Sequence, residues 1–445
     1  MNKKLLISII YMIIISITII IGIIIYSYFN FIIRIYEPLP FKMSDLRQEE
    51  TKLSEKEVEE DIEYLIKIIE DTHPIFLEEV PEEYYKSKQE LICLTNKSKS
   101  MTVGNLEYYI SKYLSSIKDG HTKVEWSNQK ILNINFNYIN GKLYLLDEES
   151  NITNKFITKI GNLKIDNIIN KLLSTFPSEN YWGEVANIEN YIGDKLFLEN
   201  IGINCNEKVL ITYMEEKEEK NIRVDFKYRA IYNNIIYSKI IEESKEKIAY
   251  IRLGICQQGT QFDTVLDDVE RYKEIGIENY IIDITGNTGG QQVVSEKLLE
   301  ALGLKIGNYG TIIRFSQLSQ ERKGYLRKNG YSKYDGNNNS YNKDNINLYV
   351  LTDEFTFSAA QLLAVIVKDG NLGKIVGRPS GNNTLIYGDV EPIQLPNSRI
   401  IIYISTGKWL RPDKSKRNEM ILFPDIYVPK NKSILDMAIK DIIYN

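Results

Sequence analysis

The chain has 445 residues, a length that predicts two or three structural units rather than one core. Its net charge of −5 argues against a nucleic-acid partner, which would require a basic face. Its three cysteines lie far apart and show neither a disulfide framework nor the spacing of a Cys/His site, so no metal is expected.

The first predicted element is a transmembrane helix. Residues 5–29 form an almost unbroken apolar run, which is long enough to span the roughly 30 Å hydrocarbon core of a bilayer. No small-residue cleavage site follows Ile25, so a signal anchor is favoured over a cleaved leader. Two lysines precede the run and a single Arg34 follows it. The positive-inside rule therefore predicts a single-pass cell-membrane protein anchored by residues 1–36, with a cytoplasmic N-terminus and an extracytoplasmic C-terminal domain.

A helical segment is predicted next, over residues 37–125, because its apolar residues recur at helical spacing. The segment ends in Asp119-Gly-His-Thr122, at a junction between a helix and a strand. His121 is one of two histidines in the chain, and at this junction its side chain can project into a cleft. The other, His73, stands beside Pro74 at a helix end and is expected to pack or to cap.

Residues 126–240 change to a pattern of short strands. Asn140-Gly141, between two short apolar runs, predicts a hairpin. The order of elements is similar to that of a PDZ-like insert, which could bind a peptide terminus. A small β-rich module that only covers a cleft would show the same pattern, and both interpretations stay open.

From residue 241 to residue 445, strands and helices alternate. This rhythm predicts the α/β class, with a parallel sheet and crossover helices. An apolar strand within residues 278–290 runs into a loop that contains Gly289 and Gly290. Paired glycines allow the backbone to turn with its N–H groups exposed, although an ordinary strand-to-helix turn has the same appearance.

Ser358 is the most informative residue of the chain. A buried strand is predicted over residues 345–352 and a helix over residues 358–368, so Ser358 stands at a strand-to-helix turn. Its hydroxyl would lie at the positive end of the helix dipole, beside free N–H groups of the kind that stabilise an oxyanion. Serine is also a preferred helix N-cap, which is the alternative interpretation.

Several motifs occur in an order that resembles the tail-specific, S41-type serine peptidases: Asp119-Gly-His-Thr122, Ile282-Asp-Ile-Thr-Gly-Asn-Thr-Gly-Gly290, Phe357-Ser-Ala-Ala-Gln361, Val376-Gly377 and Phe423-Pro-Asp-Ile-Tyr-Val428. The chain is most similar to the branch that resembles the tricorn core peptidase, which uses a histidine base. Another branch carries a lysine base beyond its serine, where residues 377–384 of this chain contain no lysine.

The resemblance implies an S41-type core over residues 241–445 and a membrane-anchored, extracytoplasmic serine peptidase. Its partner would be a peptide or protein substrate, and no metal or organic cofactor would be needed. Ser358 would be the nucleophile and His121 the general base. Glu419 would orient His121, because only a carboxylate can stabilise a developing imidazolium, with Asn418 in that position if the register slips by one residue.

The same resemblance implies that the backbone N–H groups of Ala359 and of Gly289 or Gly290 receive the oxyanion. One departure is Thr285, which replaces an arginine common in the family. This replacement and the missing lysine keep a second function class open, a catalytically inactive peptide-binding or interaction protein on a peptidase scaffold. The sequence predicts no oligomeric state.

Overall fold

The computed structural model describes residues 3–30, 32–95, 101–127, 129–230, 234–342 and 346–444. The helices are α1 (Lys3–Asn30), α2 (Glu55–Thr72), α3 (Glu82–Thr95), α4 (Val103–Ser115), α5 (Ile165–Leu173), α6 (Tyr181–Tyr191), α7 (Lys195–Asn200), α8 (Thr260–Glu274), α9 (Gln292–Ala301), α10 (Gln317–Lys323), α11 (Ala359–Asp369) and α12 (Ile434–Tyr444).

The strands of the N-terminal half are β1 (Lys52–Leu53), β2 (Met101–Thr102), β3 (Lys123–Glu125), β4 (Lys130–Leu132), β5 (Phe136–Ile139), β6 (Lys142–Leu146), β7 (Ile152–Ile160), β8 (Leu163–Lys164), β9 (Val209–Glu215), β10 (Glu218–Val224) and β11 (Phe226–Tyr228). Those of the C-terminal half are β12 (Ile236–Glu243), β13 (Glu246–Leu253), β14 (Asn279–Asp283), β15 (Leu304–Lys305), β16 (Gly310–Arg314), β17 (Tyr331–Tyr334), β18 (Tyr341–Asn342), β19 (Asn347–Thr352), β20 (Lys374–Gly377), β21 (Ile386–Gln394), β22 (Ile401–Leu410) and β23 (Ile426–Tyr427).

A central six-stranded sheet positions the site. Its strand order is β12-β13-β14-β19-β20-β23, and every neighbouring pair except β12-β13 is parallel. Helices α8, α9 and α11 pack on one face and α12 on the other, so the middle strands are buried apolar runs, as is usual for a parallel sheet covered on both sides. The predicted α/β class is confirmed. The strand predicted from residue 345 is β19, and residue 345 itself lies outside the described residues.

A second sheet determines where the histidine motif lies in the fold. The long strand β22 pairs with β21 along its length, and with β16 and β3 on its other side. Because β3 begins two residues after His121, its pairing with β22 fixes where the motif lies.

The helical segment and the insert share one hydrophobic core. It includes Leu65 and Leu106 from helices α2 and α4 together with Leu132, Ile168 and Phe197 from the following region. The insert contains the sheet β10-β9-β7-β6-β5 and the three helices α5 to α7. It is therefore packed into the body of the protein, and its predicted peptide-binding role stays a prediction.

The structure does not support the predicted transmembrane helix over residues 5–29. The side chains that it describes within α1 are those of residues 11–25. In the described part of the chain, no helix is both long enough and apolar enough to cross a membrane.

Candidate active site

Ser358 occupies a strained turn between strand β19 and helix α11. Its φ is 54° and its ψ is −127°, and its side chain makes no capping hydrogen bond to the helix. Ser358 therefore stands at the N-cap position of α11, but its hydroxyl does not cap the helix. A positive φ is uncommon for a residue other than glycine, and such strain concentrates at functional sites, where the surrounding structure holds it.

Buried side chains hold this turn in place. One oxygen of Asp353, Oδ1, accepts hydrogen bonds from the N–H of Gly286 at 2.8 Å and of Thr356 at 3.0 Å, which ties the glycine loop after β14 to the turn. Asn382 Oδ1 accepts from the N–H of Ser358 at 2.5 Å. The serine turn is thus held by contacts to the segments that follow β14 and β20, the two strands on either side of β19.

Two backbone donors, one in the glycine loop and one at the start of α11, belong to residues that line the same pocket as Ser358. Gly289 has a φ of 101°, and a Cβ there would lie 2.4 Å from the Cβ of Ser358, so the close approach requires glycine. Its N–H donates to Asn287 Oδ1 at 2.8 Å, so this donor is already engaged. In the described part of the chain, the N–H groups of Gly290 and Ala359 have no hydrogen-bond partner. They, and not Gly289, are available to an oxyanion.

His121 lies against the serine turn, between α4 and β3. Its ring packs on Phe357 with 4.5 Å between the ring centroids. Its side chain is 11% exposed, and neither ring nitrogen has a hydrogen-bond partner among the described residues. Nδ1 lies 3.6 Å from Oδ1 of Asp119, just beyond hydrogen-bond distance. Both ring nitrogens can therefore form further hydrogen bonds, Nδ1 to the nearby carboxylate of Asp119 and Nε2 to a hydroxyl group.

Asp119 is the carboxylate that the structure places beside His121. It is fully buried, and its Oδ2 accepts hydrogen bonds from Thr122 Oγ1 at 2.7 Å and Ser405 Oγ at 2.6 Å. Burial alone would raise the pKa of Asp119, but the neighbouring imidazoles of His121 and His73 hold it well below its usual range. The carboxylate is therefore an anion that faces the ring.

His73 contacts the same carboxylate from the other side. Its Nδ1 accepts a hydrogen bond from the N–H of Ile75 at 3.1 Å, so it caps as expected. The proton must then be on Nε2, which donates to Asp119 Oδ2 at 3.0 Å. Sequence reasoning missed this contact. The one feature of the sequence that could have drawn attention to His73 is that the chain has only two histidines.

Glu179 is a further acidic group of the site that no motif indicated. It precedes α6, and its oxygens accept hydrogen bonds from Asn382 Nδ2 at 2.6 Å and from the N–H of Asn383 at 2.9 Å. Burial and the charge of Asp119 raise the pKa of Glu179 to about 8. One ligand atom each from Asp119, His121 and Glu179 lies within 4.8 Å of the others, yet both carboxylates are already satisfied by hydrogen bonds.

Glu419 lies away from this cluster. Its side chain is 61% exposed, and its carboxylate lies 3.2 Å from Nη1 of the buried Arg411. Asn418 is exposed as well. In the described structure neither residue contacts His121, because Arg411 at the end of β22 holds the loop. The carboxylate next to the ring of His121 is that of Asp119, and not that of Glu419 as the sequence analysis expected.

Ser358 and His121 both line two compartments. The larger is a cleft of about 510 Å³, which both residues line together with the aromatic side chains of Trp126, Phe176, Tyr191 and Phe357. The smaller, of about 210 Å³, is lined by the same pair and by Gly290, Ala359, Leu362, Ile386 and Trp409. Gly290 lines both compartments with Ser358 and His121, and Ala359 lines the smaller one, so both open N–H groups belong to residues of the same site.

Comparisons with known proteins show a similarity to serine peptidases of family S41. Residues 247–428 match the model of Peptidase family S41. A carboxyl-terminal-processing protease from Picosynechococcus sp. is 25% identical over 199 residues, which are 44% of this chain and 43% of that protein. The chain thus matches less than half the length of this curated relative.

Solved structures show the same fold over most of the chain. Mature CPAF superposes with a TM-score of 0.65 at 12% identity, covering 87% of this chain and 96% of that one. Mature CPAF complexed with lactacystin gives a TM-score of 0.62 at 13% identity, with the same coverage.

Proposed function

We propose that this chain, in which residues 247–428 form a peptidase family S41 domain, is a serine peptidase that hydrolyses peptide bonds through Ser358 and His121. The observation that carries the proposal is the serine turn. Ser358 has a strained backbone, and its hydroxyl does not cap the helix. It lines the same clefts as two residues with open N–H groups and as His121, whose ring nitrogens have no hydrogen-bond partner among the described residues. Strain of this kind also occurs at ligand clamps, but here it stands together with open backbone donors and an unpartnered histidine, which are the groups that acyl transfer needs.

In the first half of the reaction Ser358 Oγ attacks the carbonyl carbon of the scissile bond. His121 takes the hydroxyl proton and then gives it to the leaving amine, so the C–N bond breaks and an acyl-enzyme forms. In the second half His121 takes a proton from water as the water oxygen attacks the acyl carbon, and returns it to Ser358 Oγ as the ester C–O bond breaks and the acid product leaves. In these steps the histidine base is the one used by the tricorn-like branch, to which we assign the chain.

Two further groups support these steps. The N–H groups of Gly290 and Ala359 receive the negative charge that develops on the carbonyl oxygen, and one such donor is typically worth about 10²–10³ in kcat. The Asp119 anion, 3.6 Å from His121 Nδ1, orients the ring and stabilises its cationic form. The contact needs to shorten only slightly, as catalytic hydrogen bonds commonly do when substrate binds. None of the steps requires a metal or an organic cofactor.

A fluorophosphonate probe tests the proposal, because it reacts only with an activated serine. We expect covalent labelling of the folded protein, mapped to Ser358 by peptide mass spectrometry, and no labelling of Ser358→Ala. Thermal unfolding of both proteins controls for folding. A wild-type protein that unfolds cooperatively but is never labelled would instead favour the catalytically inactive, peptide-binding alternative.

We also propose that the domain after residue 36 lies on the extracytoplasmic side of the cell membrane. Support comes from the sequence alone, since the two lysines before residues 5–29 outnumber the single Arg34 after them. We expect an epitope added after residue 445 to be degraded by protease applied to intact cells. Protection of the epitope until the cells are lysed would place the domain in the cytoplasm.

A further inference from the structure

Four buried charges connect the serine turn to the wall of the larger cleft. They are two carboxylates and two cations, each with at most 11% of its side chain exposed: Glu354, Arg378, Lys430 and Glu189. Two carboxylates thus face two cations, although burial raises the pKa of Glu189 to about 7 despite the neighbouring Lys430.

Lys430 is the centre of this cluster. Its ammonium contacts the carboxylate of Glu189 and lies 2.5 Å from Oε1 of Glu354. The other oxygen of Glu354 lies 2.6 Å from Nε of Arg378. Burial would raise the pKa of Glu354, but the charges of Arg378 and Lys430 lower it, so this carboxylate stays ionised inside the protein.

On one side the cluster holds the serine turn. Glu354 stands four residues before Ser358, and its backbone carbonyl accepts a hydrogen bond from the N–H of Gly381 at 3.0 Å. The next residue, Asn382, accepts the hydrogen bond from the N–H of Ser358. A shift of Glu354 would therefore move both the turn and the side chain that fixes the backbone of Ser358.

On the other side the cluster holds helix α6. Glu189 belongs to α6 and also accepts a hydrogen bond from the N–H of Tyr138 at 2.6 Å, which joins strand β5 to the helix. Gly183 and Ala186 of the same helix line the larger cleft opposite the serine turn. At Gly183 a Cβ would lie 2.8 Å from the carbonyl oxygen of Gly381, so the two walls already touch.

We propose that Lys430 is a positioning residue of the peptidase, which sets the relation between α6 and the serine turn and so the placement of Ser358. The inference rests on the proposed function. Buried ion networks are weak contributors to stability compared with apolar packing, so a role in positioning explains why charges occupy this place. The residue does not touch substrate and takes no part in proton transfer.

The test compares three variants by their rate of fluorophosphonate labelling per folded molecule. Lys430→Met removes the bridge, and we expect labelling to slow about 100-fold, the loss that a displacement of roughly 1 Å can cause. Lys430→Arg restores a cation and should return the rate to near the wild-type value. The double variant Glu189→Gln with Lys430→Met leaves no carboxylate without a cation, so it carries the test if Lys430→Met does not fold.

Lys368→Met is the matched control, because Lys368 pairs with Asp425 at a more exposed place and should label at the wild-type rate. Wild-type labelling in the double variant would overturn the inference and leave the proposed function intact. Absence of labelling in the wild-type protein would instead contradict the proposed function itself.

Discussion

Replacing His121 by alanine is expected to lower kcat by roughly four to six orders of magnitude, with KM little changed. Without a base, the Ser358 hydroxyl keeps its proton, and only binding and the two backbone donors remain to assist the reaction. The side chain of His121 makes no hydrogen bond among the described residues, so its removal leaves no buried group unsatisfied. Folding should therefore survive, and steady-state kinetics on a peptide substrate can be compared at equal folded concentration.

Two lysines serve as controls for this prediction. Lys368 pairs with Asp425 and Lys374 with Asp441, so each is already engaged in an ion pair outside the clefts. Their alanine variants should keep turnover close to that of the wild-type protein. If either variant lost turnover while His121→Ala kept it, a lysine base would have to replace the histidine in the mechanism.

The second large effect is expected for Asp119→Asn, which should lower kcat by about 10⁴-fold, equivalent to roughly 5 kcal/mol of transition-state stabilisation. The amide has nearly the shape of the carboxylate, so Thr122 and Ser405 keep an oxygen partner. It carries no charge, however, and cannot stabilise the imidazolium that His121 becomes. Measurement of kcat and KM separately should show the loss in kcat.

Glu419→Gln is the matched control, since it makes the same change of charge in the carboxylate that the sequence favoured. Its side chain is exposed and paired with Arg411, so we expect kcat within about twofold of the wild-type value, as for most surface substitutions. A loss in this variant as large as that of Asp119→Asn would return the orienting role to Glu419.

Local signals in the sequence predicted those parts of the site that are formed by short stretches of chain. The position of Ser358 follows from a strand, a break and a helix that all lie within residues 345–368 and show typical periodicity. The α/β class follows from the same alternation repeated along the C-terminal half. His121 could be singled out because it lies at an element junction and has only one rival in the chain.

Contacts between distant segments could not be predicted in this way. Asp119 and His73 are separated by 46 positions and meet only when the helical segment folds, so no local pattern predicts their contact. The orientation of an N–H group is equally hidden. Gly289 and Gly290 are equivalent in sequence, but the side chain of Asn287 turns back onto the first and leaves the second open.

Because of the positive φ of Ser358, the folding stability of the protein and its activity make opposite demands on this position. A non-glycine residue in such a conformation costs about 1–3 kcal/mol, while a domain is stable by only about 5–15 kcal/mol in total. The protein thus gives up a sizeable fraction of its folding free energy at one position to hold a serine at the wall of the cleft. Selection for heat resistance alone would favour glycine at position 358, which adopts that backbone without strain, and would thereby remove the nucleophile.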